Sequence, residues 1–228
     1  YFHCPIRPCV DHGAQSLDDA LNLVKMQMEM GITRIIATPH VTAQRFENTP
    51  QTITTAHAIL QNAIKENGMD VELMCSAHYR LDEFSMRAIR ENNLLPMPID
   101  FILLENSFVQ EYIGLDDLLF DFQINGLKPI LAHPERYAYY IPRERQRYKD
   151  LHNAGAKFQI NLLSLAGYFG NTARETALWL VENNLVDFIG SDIHHEEHAI
   201  AIKEYINSKE WKKLEVSLQQ RIWNDTKF

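Results

Sequence analysis

Short apolar runs rich in β-branched residues alternate along the chain with longer segments in which apolar residues recur every three to four positions. The short runs predict strands, and the longer segments predict amphipathic helices. Regular alternation of the two is typical of βα units repeated around a parallel sheet. The predicted strands are Arg34–Thr38, Val71–Cys75, Phe101–Leu104, Pro129–Ala132, Phe158–Leu162 and Phe188–Gly190.

The first predicted helix begins after Ser16, which suits an N-cap, and ends before Gly31, which suits a C-cap. With a short strand at the N-terminus, the count is roughly seven strands, which favours a distorted (β/α)7 TIM-like barrel over an open sheet. No repeat or composition shift marks a linker, so residues 1–228 are expected to form a single domain. The further predicted helices are Thr52–Asn67, Asp82–Glu91, Leu115–Asn125, Arg143–Asn153, Asn171–Asn184, His198–Ser208 and Trp211–Asn224.

The overall composition excludes several kinds of protein. The formal net charge of −8 argues against a general nucleic-acid binder, because phosphate backbones need clustered Lys and Arg. No apolar stretch approaches the roughly 20 residues of a membrane span, so no span is expected. Three cysteines are an odd number and favour a reducing compartment, so the expected localisation is cytoplasmic.

Most histidines occupy one kind of position along the chain. Loops at the carboxyl ends of parallel strands converge on one face, so residues that follow predicted strands are expected to meet there. Two acidic residues, Glu105 and Asp192, hold such positions. Of the ten histidines, those near the N-terminus or directly after a predicted strand are His3, His12, His40, His78, His133 and His194.

Imidazole and carboxylate are ligand types of zinc, manganese and non-haem iron, and several of each on one face predict a hydrolytic metal centre. Any one of these histidines alone is as easily explained as an isolated surface or core residue. It is their shared position that favours a single site. Four further histidines lie inside predicted helices or beyond the last strand and are expected to be solvated or to lie behind the ligands: His57, His152, His195 and His198.

Six short segments occur in an order and spacing typical of one known family. They are Asp11–Ser16, Ile35–His40, Leu103–Glu105, Ala132–Tyr137, Gln159–Asn161 and Gly190–His194. On these segments the chain resembles the bacterial PHP-family (polymerase and histidinol phosphatase) protein-tyrosine phosphatases of capsule and exopolysaccharide synthesis. Each segment is weakly specific alone, but the six together cover nearly the whole chain.

The resemblance implies the PHP fold, a distorted seven-stranded barrel, with a three-metal cluster at the strand ends. It also implies hydrolysis of phosphotyrosine on a partner protein, a bacterial tyrosine kinase. It makes Arg136 and Asp192 the candidate catalytic residues, with Arg136 contacting the phosphate. The positions that match the family's metal ligands are His3, His40, Glu105, His133, Asp192 and His194.

Three ligand positions depart from the family's pattern. Pro5 stands where the family has the second histidine of an Asp-x-His-x-His strand, and a proline side chain cannot bind a metal. His12 replaces an aspartate, and His78 replaces a glutamate that bridges two metals. A neutral imidazole binds one metal and brings no negative charge. We therefore expect fewer than three ions, of zinc, manganese or iron rather than magnesium.

Three functions are consistent with the sequence. The first is hydrolysis of a phosphomonoester by metal-activated water, with Arg136 holding the phosphoryl oxygens. The second is a catalytically weak phosphotyrosine-binding or regulatory protein that keeps the fold and Arg136. The third is a small-molecule phosphatase, for example one that acts on histidinol phosphate. The first is favoured because phenolate is a good leaving group, so the reaction tolerates an imperfect general acid.

Overall fold

The computed structural model describes residues 13–141, 143–219 and 222. Within them, the strands are β1 (Arg34–Ala37), β2 (His40–Val41), β3 (Glu72–Cys75), β4 (His78–Arg80), β5 (Phe101–Glu105), β6 (Lys128–Ala132), β7 (Lys157–Asn161) and β8 (Phe188–Gly190). The helices are α1 (Leu17–Glu29), α2 (Pro50–Glu66), α3 (Glu83–Arg90), α4 (Leu115–Ile124), α5 (Gln146–Asn153), α6 (Leu162–Leu165), α7 (Asn171–Glu182), α8 (Glu196–Ile206) and α9 (Lys209–Leu218).

All pairs among the strands of the described residues are parallel, and the strands follow one another in chain order. β1 pairs with β3, while β2, β4, β5, β6, β7 and β8 form the second sheet in that order. Backbone hydrogen bonds from Ser76 N to Ala37 O (2.8 Å) and from His78 N to Pro39 O (2.9 Å) continue the pairing between the two sheets. β2 therefore continues β1 after a short break, and β4 continues β3 in the same way. The two interrupted strands lie parallel to each other.

The sequence prediction missed β2 and β4. Both are very short. Pro39 separates β1 from β2 because it has no N–H to donate to the ladder. Among the described residues, β7 is the single hydrogen-bonded neighbour of β8, and β4 is that of β2. The α/β class with a parallel sheet is confirmed, and closure into a seven-stranded barrel stays a prediction, as does the N-terminal strand, which falls outside the described residues.

Each predicted helix has a counterpart in the structure, but several of the helix ends differ from the prediction. Ser16 caps α1 in a capping box with Asp19, and Gly31 leaves the helix with φ +84°, as predicted. The prediction for Arg143–Asn153 was wrong at its start, because Arg143–Arg145 forms a separate 3-10 turn before α5. α8 begins two residues earlier than predicted, since His195 is the extended N-cap and Glu196 and Glu197 occupy the first turn. α9 begins earlier and ends earlier than predicted, and α6 was not predicted.

The core places the functional face at one end of the strands. Along β5, Ile102 and Leu104 pack in the large cluster that faces the helices, whereas Phe101 and Leu103 belong to a second buried cluster. Because side chains alternate along a strand, Glu105 lies on the same side as Phe101 and Leu103, at the carboxyl end. The second cluster thus fills the space beneath the face on which the candidate ligands lie. Its members are Ile36, Met97, Phe101, Leu103, Ile130, Ala132 and Phe188.

In the part of the chain that the structure describes, no helix has both the length and the apolar character needed to span a bilayer.

Candidate metal centre

Three of the predicted ligands meet where β2, β4 and β5 lie side by side. His40 and His78 are register partners at the starts of β2 and β4, which brings their rings to a centroid distance of 4.6 Å. Glu105 ends β5 and is the register partner of Arg80 on β4. The short strands missed by the sequence prediction are therefore what brings these side chains together.

The carboxylate of Glu105 lies between the two imidazoles. Its Oε2 is 3.4 Å from Nε2 of His40 and 3.5 Å from Nε2 of His78. One ligand atom from each of the three residues falls within 4.8 Å of the others, and His78 and Glu105 are buried. Two imidazoles and one carboxylate are a donor set that fits zinc, manganese or iron, so these residues could hold a divalent metal.

The charge of Glu105 is set by its neighbours. Burial alone raises the pKa of this carboxyl group, which is almost fully inaccessible. The contact with His40 and the positive charges of His133 and Arg80 oppose that effect, and the pKa of Glu105 falls below its ordinary value of 4.5. Glu105 is thus a carboxylate at neutral pH, which is the state that binds a cation.

His133, Asp192 and His194 complete the described part of the cluster. The ring of His133 lies 5.6 Å from that of His78, and the ring of His194 lies 6.1 Å from that of His40, both between centroids. Nδ1 of His194 is 3.5 Å from Oδ1 of Asp192. These three residues, with His40 and Glu105, line one cavity of about 420 Å³. The structure therefore brings together all predicted ligands that it describes, whereas His3 and His12 lie outside the described residues.

Two of these residues have strained backbones. His133, directly after β6, has φ +35°, and Asp192, two residues after β8, has φ +50°. The left-handed region costs a non-glycine residue energy, and strain of roughly 1–3 kcal/mol per residue is found mostly at functional sites. Both side chains enter the cavity from these positions, which is independent support for a functional role.

A buried polar layer lies behind Asp192. Asn161 at the end of β7 donates from Nδ2 to Oδ2 of Asp192 at 2.7 Å, and its own Oδ1 accepts from Gln159 Nε2 at 2.8 Å. The backbone N–H of Asn161 donates to Glu135 Oε1, which also accepts from Ser164. Burial raises the pKa of Glu135 to about 7. This layer fixes the orientation of the Asp192 carboxylate.

The remaining histidines have separate roles. Nδ1 of His198 accepts the backbone N–H of His194 at 3.2 Å, so His198 lies behind a candidate ligand as predicted. His195 is exposed and lines the cavity. His57 contacts the carbonyl of Leu73. His152 was expected to be solvated or to lie behind the ligands, but it is instead partly buried, with Nε2 3.0 Å from Oδ2 of Asp187.

The cavity also contains residues that the sequence prediction missed. Arg45 and Arg80 line it together with the predicted Arg136, and Phe108 and Phe169 complete the wall. Arg80 lies two residues after His78 on the same strand face, so recognising β4 would have revealed it. Arg45 and the two phenylalanines lie in loops, where no periodic signal marks them. Three guanidinium groups in one cavity of an acidic chain form a local site for an anion.

Comparison with known proteins gives a consistent result. The sequence model of a family described as "Capsular polysaccharide synthesis, CpsB/CapC" matches residues 1–224. The tyrosine-protein phosphatase YwqE of Bacillus subtilis is 30% identical over 194 residues, covering 85% of this chain and 76% of YwqE. A putative tyrosine-protein phosphatase CapC of Staphylococcus aureus is 27% identical over 217 residues, covering 94% of this chain and 85% of CapC.

Solved structures show the same similarity. A chain from crystal structures of YwqE and of Streptococcus pneumoniae CpsB, described as metal-dependent tyrosine phosphatases, superposes with a TM-score of 0.79 at 28% identity. That alignment covers 100% of this chain and 96% of the other. A phosphotriesterase homology protein of Escherichia coli superposes with a TM-score of 0.55 at 12% identity over 95% of this chain and 90% of its own, which supports the fold alone.

Proposed function

Since the chain belongs to the CpsB/CapC family of capsular polysaccharide synthesis, we propose that it is a metal-dependent phosphatase that hydrolyses phosphotyrosine on a protein. One observation carries this proposal: His40, His78 and Glu105 converge in the cavity region that also presents Arg45, Arg80 and Arg136. A metal-ligand set beside a group of guanidiniums matches the needs of a phosphomonoester dianion.

The metal would be held by the described imidazoles and carboxylates, with His40, His78 and Glu105 as its core. His133, Asp192 and His194 are the further candidate ligands. A divalent cation there supplies Lewis-acid chemistry, which withdraws electron density from a phosphoryl group and makes water more acidic. We propose zinc, manganese or iron, bound as fewer than three ions, because imidazoles outnumber carboxylates in this set.

Arg136 is proposed to bind the phosphoryl oxygens. Its guanidinium lines the cavity and is about a quarter exposed, so it can reach a ligand. A guanidinium can place two parallel N–H bonds on two oxygens of a phosphate. Asp192, whose Oδ2 lies 3.8 Å from Arg136, is proposed to attract this guanidinium by charge as well as to serve the metal site.

The substrate would be a tyrosine-phosphorylated protein, and we propose a bacterial tyrosine kinase of exopolysaccharide synthesis. The relatives YwqE and CpsB are named tyrosine-protein phosphatases, which supports this substrate class. We also propose that the parallel strands close as a distorted (β/α)7 barrel of a single domain, since the strands follow in chain order and the candidate ligands collect at their carboxyl ends.

A specific observation supports the alternative of a phosphotyrosine-binding protein with weak catalysis. His78, at the position of the family's bridging glutamate, is fully buried against Glu105, which leaves one carboxylate in this corner of the site. The two functions differ in turnover, because a binding protein retains phosphotyrosine whereas an enzyme releases inorganic phosphate.

The test is steady-state hydrolysis of a phosphotyrosine peptide with manganese or zinc added, by the parent and by Arg136→Ala. We expect multiple turnovers by the parent and a loss in kcat/KM of about 100-fold in the variant, because one donor to a developing phosphoryl charge is removed. Arg90→Ala, at an exposed position on α3, is the matched control and should behave as the parent. Tight peptide binding without turnover supports the binding protein, and turnover of histidinol phosphate alone supports the small-molecule enzyme. Equal activity of Arg136→Ala contradicts the role of Arg136.

A further inference from the structure

Arg136 is held by two aromatic rings. Its Cζ lies 4.0 Å from the ring centroid of Phe169 and 4.5 Å from that of Phe108. An arginine over an aromatic face is attracted by the ring quadrupole, and the attraction grows as water is removed. Arg136 is only about one quarter exposed, so both contacts act in a partly desolvated setting.

The ionic contact of Arg136 with Asp192 does not include a hydrogen bond. Nη1 of Arg136 is 3.8 Å from Oδ2 of Asp192, which is beyond hydrogen-bond length. The same oxygen already accepts Nδ2 of Asn161 at 2.7 Å. Asp192 therefore attracts the guanidinium by charge but does not fix its orientation.

The ring of Phe169 is placed by a tight turn after α6. Gly167 and Gly170 have φ values of +83° and +90°, and Gly170 N donates to Gly167 O at 3.0 Å. The N–H of Tyr168 donates to the carbonyl of Leu163 at 2.9 Å, which ties the turn to the helix. Glycine adopts positive φ without the steric cost that other residues pay, so the two glycines allow this tight turn.

The ring of Phe108 approaches from the opposite loop, after β5. It stacks on His133 with a centroid distance of 5.6 Å and an interplanar angle of 23°. The preceding residue, Ser107, accepts from Tyr139 Oη at 2.9 Å through its carbonyl, which holds this loop against the fold. Phe108 thus contacts both the guanidinium and a candidate metal ligand.

We propose that Phe169 and Phe108 are positioning residues that hold the Arg136 guanidinium between their rings, so that its N–H groups face the phosphoryl group of the substrate. Aromatic faces hold a cation without occupying its N–H donors, whereas a carboxylate at hydrogen-bond distance would occupy them. This inference rests on the proposed function, because it assigns Arg136 to a phosphate. The two rings keep the N–H donors of that arginine available to bind.

The experiment is a double-mutant cycle with Phe169→Leu and Arg136→Ala, read as the affinity of metal-loaded protein for inorganic phosphate. Phe169→Leu should weaken phosphate binding about tenfold in the parent and should have little effect in the Arg136→Ala background. Phe169→Tyr keeps the ring face and should restore most of the affinity. Phe108→Leu, at a half-exposed position, should also weaken binding, and Phe120→Leu on the exposed face of α4 is the matched control with no change expected.

Two outcomes would overturn the inference while leaving the proposed function intact. One is an Arg136→Ala variant that loses phosphate affinity while Phe169→Leu keeps it. The other is an equal loss from Phe169→Leu with and without Arg136, together with a lower metal content, which would make Phe169 a packing residue. A parent protein that neither binds phosphate nor hydrolyses phosphotyrosine would instead refute the proposed function.

A readout that needs neither metal nor phosphate completes the test. Rotation of the Arg136 guanidinium about its Nε–Cζ bond can be followed by nitrogen-15 NMR in the metal-free protein. The rotation should be faster in Phe169→Leu than in the parent and close to the parent in Phe169→Tyr. An unchanged rate in Phe169→Leu would contradict the positioning role whatever the activity.

Discussion

At the scale of single residues, the site depends on a few side chains whose state is set by their surroundings. Glu105 is buried and yet ionised, because His40, His133 and Arg80 lower its pKa more than burial raises it. His133 and Asp192 adopt left-handed backbone conformations that place their side chains in the cavity. These features follow from tertiary contacts, so the sequence could mark the residues as candidates but could not give their geometry.

Asn161 is the residue whose role is easiest to test by itself. Its amide fixes one oxygen of Asp192 at 2.7 Å inside a fully buried layer. Residues that orient a metal ligand typically contribute about 10-fold to 100-fold to metal affinity. We expect Asn161→Ala to weaken binding of zinc or manganese by a factor in that range, measured by competition with a chelator.

The control for this prediction is Asn183→Ala. Asn183 caps α7 at an exposed position and donates to the carbonyl of Trp179, so its loss should leave metal affinity unchanged. Equal metal affinity of Asn161→Ala and the parent would mean that Asp192 does not need this bond, or that Asp192 is not a ligand.

At the scale of secondary structure elements, the strand ends were the informative feature. The periodicity of the chain predicted β1, β3, β5, β6, β7 and β8. Because several histidines follow these strands in the sequence, their side chains were predicted to meet at one face. β2 and β4 are too short to show alternation, so Arg80 could not be recognised as a neighbour of Glu105. Arg45, Phe108 and Phe169 lie in loops, whose conformation depends on contacts that one sequence does not reveal.

Asp187 joins three elements and should contribute to stability. Its Oδ2 accepts the backbone N–H of Phe158 at 2.9 Å and contacts His152 of α5 at 3.0 Å, while Oδ1 contacts Lys157 at 3.0 Å. Burial raises its pKa, but these three partners outweigh burial and the pKa falls below the ordinary value of 3.8. Asp187→Asn should therefore lower the free energy of unfolding by about 1–3 kcal/mol at neutral pH.

The stabilisation by Asp187 is expected to depend on pH. A carboxyl group whose pKa is depressed by folding stabilises the protein above its unfolded pKa and loses that contribution as the pH falls through its folded pKa. Urea unfolding of the metal-free parent and of Asp187→Asn should thus differ at pH 7 and converge below the ordinary pKa of 3.8. Asp150→Asn, which removes an exposed carboxylate from α5, is the control and should change stability by less than about 0.5 kcal/mol. A constant difference at all pH values would contradict the role of Asp187.

At the scale of the whole molecule, the fold explains why ligands scattered through the sequence form one site. A parallel sheet brings successive strand ends to one edge, and each candidate ligand between His40 and His194 either ends β5 or follows β1, β3, β6 or β8. The fold class and this convergence could be predicted because both depend on the chain's periodicity. The correspondence of His78 to a carboxylate of the family rests on the resemblance alone, and both this correspondence and its consequence for metal number stay predictions.

The net charge of the whole chain differs from the charge of the candidate site. An overall charge of −8 argues against polyanionic partners, and yet three arginines line the candidate site. In the cavity lining these three guanidiniums outnumber the carboxylates of Glu105 and Asp192, whereas acidic residues outnumber basic ones in the whole chain. A small dianionic group can be bound in the cavity although a nucleic acid would be repelled by the rest of the surface.

We propose that phosphotyrosine hydrolysis requires a metal held by His40, His78 and Glu105. This requirement is tested most directly by stripping the protein with a chelator and measuring phosphotyrosine turnover while zinc or manganese is added back, for the parent, Glu105→Gln and the exposed control Glu47→Gln. We predict no turnover without metal, recovery with metal in the parent and in Glu47→Gln, and loss of both metal binding and recovery in Glu105→Gln. Full turnover by the metal-free parent, or full recovery in Glu105→Gln, would contradict the claim.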